Sequence, residues 1–450
     1  MRVLLFHGYM LRGTGSNIYN VNLARALARL GHEVHLLCQD REVRIEGVEI
    51  HNPDIHGLLP VYVKDPYEGF EVKAFPELTE PELDRYIDAN VAAVRAVAAA
   101  AGGVDAALAN HLVMGPAILA RADVGPFAAK IHGSALEYTV KPHPRFLPYA
   151  YEGMEAASGV LVGSAHTAKS LWAALPDLPD LEDKTRLGPP GVDTDEFRPF
   201  HSPSRSHGAL VAFVGKLIVS KGVDLLLAAW PLVHAKNPGA KLEIAGYGEY
   251  EDGLRRLLGA LEDGDLDEAR KIGRLGWALE GGEERPLPIL SAFLADPPAG
   301  YADAARRSAG SVELIGRLEH HEVATLFARS EAMVMPSTFP EAFGMVAVEA
   351  AACGALPVSA GHSGMLEVSR QLSDALPAGV GPLTSFAVEP GAVEAIADRL
   401  GRWLELPAPA REEARRALVE TVGRLWSWEG VARGILAASR GELADLPRPT

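Results

Sequence analysis

Two glutamates eight positions apart, Glu341 and Glu349, lie in the stretch PEAFGMVAVEAAACGALPV, residues 340–358. Its pattern is a short polar loop entering an apolar helix that stops at Gly354 and leads into a strand. An acid just before a helix and a second one well inside it can both reach hydroxyl groups of one extended ligand. The backbone N–H groups of Phe343, Gly344 and Met345 are expected at the helix start, where the first amides lack helical partners and a diphosphate is best held. A plain alternative stands beside this: first-turn acids often cap a helix or are simply solvated.

A second set is cationic. FVGKLIVSKGVD, residues 213–224, places Lys216 and Lys221 in the loop after an apolar strand, beginning at Gly215. Cations at the carboxyl end of a parallel strand can neutralise a departing diphosphate. Surface lysines are otherwise ordinary solvated groups. Gly316 and Arg317 follow another apolar run and join the expected contacts to an anionic ligand.

A third set lies in the first half of the chain. GYMLRGTGSN, residues 8–17, is a glycine loop centred on Gly13, Thr14 and Gly15. Tight strand-to-helix turns favour glycine in general, and the G-x-G-x-x-G spacing of dinucleotide binding is absent. His132 ends the apolar run FAAKIHG, where an imidazole can face a ligand or serve the structure. The following Glu137, Tyr138, Lys141, His143 and Arg145 could read an anionic acceptor or form a solvated loop; Tyr138, Lys141 and Arg145, with Asn110, are the acceptor candidates. Two Asp-x-Asp pairs, Asp193/Asp195 and Asp265/Asp267, have a metal-like composition but fall in a linker-like stretch and in an insertion, so no metal site is expected.

The elements that must carry these residues alternate between strand and helix. An apolar strand at 3–6, the glycine loop, a helix with Leu23, Leu27 and Leu30 on one face, and a strand at 34–38 form half of a doubly wound unit. The pattern recurs at 210–214, with Val223, Leu227 and Trp230 at the same offsets and a strand at 242–245. Further apolar runs at 106–108, 127–131, 160–162, 312–315, 332–335 and 356–359 suit buried parallel strands. The Pro-, Gly- and Ser-rich residues 188–208 read as a linker, and 250–311 as an insertion carrying its own helices. The expected organisation is α/β, with Rossmann-like domains at 1–200 and 207–406 and closing helices at 407–450.

Bulk properties agree. A chain of 450 residues exceeds one ordinary core, and 48% apolar with 23% charged residues is the range of folded proteins. The net charge of −16 opposes general nucleic-acid binding, which needs a basic face. Cys38 and Cys353, both in apolar stretches, suggest buried thiols in a reducing compartment, hence the cytoplasm. The N-terminal apolar stretch is short for a signal peptide, and no run is long enough to span a membrane, leaving peripheral contact open.

Residues 340–358 resemble the E-x7-E motif of retaining GT-B glycosyltransferases, specifically family four. The resemblance fails only in the insertion and weakens over about 51–83. It implies two Rossmann-like domains facing each other across a cleft, with Glu341 on the donor sugar, Glu349 on the ribose hydroxyls, and Lys216 and Lys221 on the diphosphate. Lys216 stands where the family commonly has arginine, and Thr14 where glycine is common. His132 is similar in position to a family histidine facing the donor sugar. The stretch with Trp426 and Trp428 resembles the family's return crossing to the first domain.

The implied reaction moves a sugar, with retention, from a nucleotide diphosphate sugar to a small-molecule or glycan acceptor. It needs no cofactor and no metal, and UDP is the family's usual carrier. A nucleotide-sugar epimerase of the same fold and a non-catalytic binding protein remain as alternatives; conversion of donor without acceptor would identify the first.

Overall fold

A computed structural model describes residues 1–13, 15–63, 67–199 and 209–449. Thr14 and much of the expected linker therefore lie outside the described residues. The chain forms two units, Met1–Gly191 with Trp426–Thr450, and Val192–Leu425.

The first unit is built on β1 (Arg2–Phe6), β2 (Glu33–Leu37), β3 (Val48–His51), β4 (Leu58–Val61), β5 (Glu71–Ala74), β6 (Ala106–Asn110), β7 (Phe127–Ile131), β8 (Gly159–Val162) and β9 (Thr185–Leu187). Seven of these form a sheet in the order β3-β2-β1-β6-β7-β8-β9, parallel throughout, while β4 and β5 pair separately. Alternation along β1 sends Leu4 and Phe6 into one apolar cluster and Val3 and Leu5 into another, so both faces are covered. Trp428, Ala432, Ile435 and Leu436 of the helix Trp428–Ser439 supply part of the second cluster. Glycine permits that approach: a Cβ on Gly159 would lie 2.7 Å from the carbonyl oxygen of Ala438, and one on Gly191 equally close to the Trp428 ring.

The second unit carries β10 (Leu210–Val214), β11 (Lys241–Ala245), β12 (Val312–Gly316), β13 (Ala332–Met335), β14 (Leu356–Ala360) and β15 (Ser385–Phe386). Their order is β12-β11-β10-β13-β14-β15, again parallel. In both sheets the connections reverse direction beside the first strand, between β1 and β6 and between β10 and β13. Such switch points open a crevice beyond the carboxyl ends of the strands, where ligands of doubly wound sheets bind.

Two boundaries differ from the sequence expectation. The first unit ends at Gly191, ahead of residue 200, and the span 407–450 divides. The helix Ala408–Leu425 stays with the second unit, where Arg415 pairs with the Glu331 carboxylate; only the chain from Trp426 joins the first. Residues between β11 and β12 form four α-helices: Glu251–Glu262, Leu266–Leu275, Pro288–Ala295 and Tyr301–Arg307. All but Leu266–Leu275, which packs on its neighbours Glu251–Glu262 and Pro288–Ala295, pack on the unit's own helix Val223–Lys236, to which the Tyr301 hydroxyl donates at the Ala228 carbonyl, 2.7 Å away.

Candidate functional site

Each switch point holds a polar cluster. In the second unit the loop after β10 and the loop after β13 touch at Gly222, whose φ is +66°. A Cβ there would sit 2.1 Å from the Pro336 carbonyl oxygen, so only glycine fits. The Thr338 N–H donates to the Ser220 carbonyl at 2.8 Å and locks the crossing. Lys221 is thereby brought onto Glu341, and its ammonium donates to Oε1 of that carboxylate. Ser337 Oγ donates to the same oxygen at 2.8 Å, and Ser363 Oγ accepts from the Glu341 N–H at 2.9 Å. Lys216 is half-buried on the Lys221 loop. Gly215, Gly246 and Gly316 gather the ends of β10, β11 and β12, with the Gly246 N–H donating to the Gly316 carbonyl at 2.8 Å. Arg317 stacks 5.4 Å from the Tyr247 ring centre and lies 3.7 Å from Glu319.

Phe343 is buried and Gly344, with φ of +112°, is the N-cap of the helix Met345–Ala352. Gly344 has no side chain to cap that helix, so the first turn presents amides to whatever lies before it. Glu349, inside the helix and nearly buried, lies 3.3 Å from Nε2 of His320. Nδ1 of the same ring lies 3.1 Å from Glu196. Burial alone would lower the His320 pKa, but Glu349 and Glu196 outweigh it and raise it to about 9. His320 is thus a cation between two carboxylates and orients Glu349.

The insertion reaches this cluster as well. Glu280 accepts from the Val219 N–H at 2.7 Å, at the start of the 3-10 turn Val219–Lys221.

The first unit's cluster is neutral. The Asn20 amide donates to Nδ1 of His7 at 3.0 Å and to the Ser16 carbonyl at 2.8 Å, which leaves the His7 proton on Nε2, facing Met10 and Asn17. The Asn110 amide donates to Asn20 Oδ1 at 2.8 Å and to the Phe6 carbonyl at 3.1 Å. Asn110 Oδ1 therefore accepts from Nε2 of His132, 2.8 Å away, and Nδ1 of His132 keeps a lone pair. Burial lowers all three imidazoles: His7 to about 4, His111 and His132 well below the ordinary histidine value. His111 adopts a left-handed φ of +68°, is 2% exposed, and has no hydrogen-bond partner for either ring nitrogen among the described residues. Tyr62 and His132 lie 4.5 and 4.9 Å from it, ring to ring. Lys130, also buried, donates to the Gly188 carbonyl, and burial pulls its pKa down to about 7.

The structure treats the acceptor candidates unevenly. Tyr138 is 45% exposed. Lys141 pairs with Glu137 at 2.6 Å, and Asn110 is committed to the His132 network. Arg145 donates to the carbonyls of Phe75, Pro76 and Leu78 at 2.9–3.0 Å, so its guanidinium closes a turn of its own chain instead of standing open to an anion. Gly13 has a φ of +95°, and Gly15 begins the helix Gly15–Arg29. The Asp pairs do local work: Asp193 accepts from the Asp195 N–H at 3.0 Å, Asp265 caps a helix at the Glu268 N–H, and Asp267 pairs with Arg270. Sequence reasoning missed Ser337, Ser363, His320, Glu196, Glu280 and His111. Only the adjacent pair His320–His321 before a helix offered a signal, and it reads as a solvated helix start.

Known proteins share much of this sequence and this fold. Residues 13–196 match the profile of Glycosyltransferase Family 4, and residues 194–265 and 303–422 that of Glycosyl transferases group 1. The gap between the latter segments falls in the helical insertion. The chain is 28% identical to a D-inositol 3-phosphate glycosyltransferase of Frankia alni, over 96% of this chain and 95% of that one. It is 29% identical to a glycogen synthase of Mycobacterium tuberculosis over 54% of its own length, but spans only about half, 46%, of that relative. Anabaena Alr3699/HepE, solved in complex with UDP-glucose, superposes with a TM-score of 0.62 at 15% identity, covering 98% of this chain and all of that one. No helix among the described residues is long and apolar enough to cross a membrane. With both switch-point clusters and matches over most of its length, the chain belongs to the family 4, group 1 glycosyltransferases of GT-B fold.

Proposed function

We propose that this chain moves a sugar from a nucleoside diphosphate sugar, with UDP as the carrier, to a small-molecule or glycan acceptor, and that the anomeric configuration is retained. The observation that carries the reading is the Lys221–Glu341–Ser337 cluster at the switch point of the second unit. Charge grows on the leaving diphosphate as the glycosidic bond breaks, and preorganised cations and amides stabilise it without reorganising. Lys216, Lys221 and the first turn of Met345–Ala352 supply that field.

Before donor binds, Glu341 neutralises Lys221. An arriving diphosphate competes for the ammonium and frees Glu341 to accept from a sugar hydroxyl. Glu349, held by His320, accepts from the ribose. His132, neutral and fixed through Asn110, offers Nδ1 to a substrate hydroxyl. The leaving phosphate takes the acceptor's proton, so the scheme uses no protein nucleophile, metal or cofactor, and it suits the cytoplasm, where nucleotide sugars are made.

A panel of nucleotide sugars in thermal-shift measurements tests the donor, since a ligand at a hundredfold its Kd adds about 2.7 kcal/mol. UDP-sugars are expected to give the largest shift, and turnover to survive exhaustive chelation. Conversion of donor without any acceptor would replace the transferase by an epimerase.

A further inference from the structure

β2 and β3, at the edge of the first unit's sheet, bring together residues that the transfer reaction does not use. Their parallel register sets His35 opposite Glu49 and Leu37 opposite His51. The two imidazoles stack 5.3 Å apart at 28°, so that Nδ1 of His35 and Nε2 of His51 converge to 3.1 Å. The Glu49 carboxylate closes the group, with Oε2 3.4 Å from His35 Nδ1 and Oε1 3.8 Å from His51 Nε2.

The other nitrogen of His35 decides what this group can do. Nε2 lies 3.1 Å from the Glu33 carboxylate, an acceptor, so the His35 proton resides there and Nδ1 turns a lone pair toward His51 and Glu49. A carboxylate behind a ligating histidine is the usual outer-shell arrangement of metal sites, fixing the tautomer and raising the donor strength of the ring. Zinc holds nitrogen and carboxylate ligands at about 2.0–2.2 Å in a tetrahedron, which places the ligand atoms about 3.3–3.6 Å from one another. The two shortest separations, 3.1 and 3.4 Å, lie close to that edge length, and one ligand atom from each of the three residues lies within 4.8 Å of the other two.

We propose that His35 Nδ1, His51 Nε2 and the Glu49 carboxylate form a zinc-binding site, with Glu33 as the positioning residue. The fourth vertex falls to water, because Glu49 stands on the exposed side of the group. β3 is an edge strand, and Val48, Ile50 and His51 are only partly buried. A cation joining it to β2 acts as a staple for a strand that apolar packing holds weakly.

The test uses the untagged full-length chain, stripped with chelator, desalted and titrated with zinc chloride by calorimetry. One equivalent of zinc binds, and cobalt substitution gives the visible absorption of a tetrahedral nitrogen–oxygen site. His51→Gln and Glu49→Gln each abolish the saturable heat, while His56→Gln, outside the group, leaves it unchanged. Glu33→Gln retains all three ligands and weakens binding by about 10–100-fold. Circular dichroism of the metal-free variants establishes that each is folded, and Glu49→Gln, a change at an exposed position, secures the test should His51→Gln not fold. No zinc heat in the wild type, or unaltered zinc affinity in the folded variants among His51→Gln and Glu49→Gln, overturns the site.

Discussion

The two switch-point clusters use histidine in opposite electrical states. In the second unit His320 sits between Glu349 and Glu196 and its pKa rises to about 9; in the first, His7 has no carboxylate partner and burial lowers it to about 4. Desolvation disfavours the imidazolium in both places, so the difference comes from the carboxylates. Sheet topology supplies a crevice in each unit, and the side chains near it decide whether that crevice is a field for anions or a neutral set of donors and acceptors.

The sharpest way to break the comparison is to remove the cation at the centre of the charged cluster. Lys221→Ala is expected to lower turnover at saturating donor by roughly 10²–10³, the scale for one transition-state charge contact, and Lys216→Ala by a similar factor. Wild-type rates in both variants would end the phosphate role.

Separating the two glutamates sharpens it. Glu341→Gln should bind nucleoside diphosphate normally and the nucleotide sugar about 10–100-fold more weakly, whereas Glu349→Gln should weaken both, since a charged hydrogen bond to a hydroxyl contributes about 1.5–3 kcal/mol. Calorimetry with the two ligands reads this directly. Equal loss for both ligands in Glu341→Gln would make that residue a partner of Lys221 alone.

The opposite pKa shifts predict opposite pH dependence. His320, raised, contributes stability that is complete below about pH 6.5 and is lost as pH climbs through about 9. His7, lowered, is favoured neutral, so its contribution is complete above about pH 6.5 and is lost as pH falls toward about 4. Melting curves of His320→Gln and His7→Gln against wild type should converge at alkaline and acid pH respectively, with differences near pH 6.5 of about 1–3 kcal/mol. Convergence at the same end of the scale would contradict the assignment.

The smallest effect concerns the insertion. Glu280→Ala removes the acceptor at Val219 N–H and should slow turnover about tenfold or less, by an amount in line with one hydrogen bond of roughly 1 kcal/mol, with donor affinity little changed. Loss as large as in Lys221→Ala would place Glu280 in contact with ligand.

How much of this was readable in the sequence depends on the range of the interactions. Central strands such as β10 and β13 are continuous apolar runs because both faces are covered, and their limits are read directly. β3 was missed because VEIH is short, half polar and at an edge. The helices Ala408–Leu425 and Trp428–Ser439 look alike locally; what separates them is the Arg415–Glu331 pair and the seat of Trp428 against Gly191, both long-range. In the site, the positions of Lys221 and Glu341 stood out by spacing, but their pairing joins residues 120 apart. The left-handed backbone of His111 left no trace in composition, and Arg145, prominent as a cation, proved to be committed to backbone carbonyls.

The helix Trp428–Ser439 has a consequence for how the chain is made. Its Trp428, Ala432, Ile435 and Leu436 complete a core begun by Val3 and Leu5. On the ribosome the first unit must wait for the whole second unit to be translated, some tens of seconds at about 5–20 residues per second, with one face of its sheet only partly covered. The unit started first is finished last. The nascent chain thus passes through an interval in which the second unit has all its residues and the first still needs either a chaperone or its own distant end.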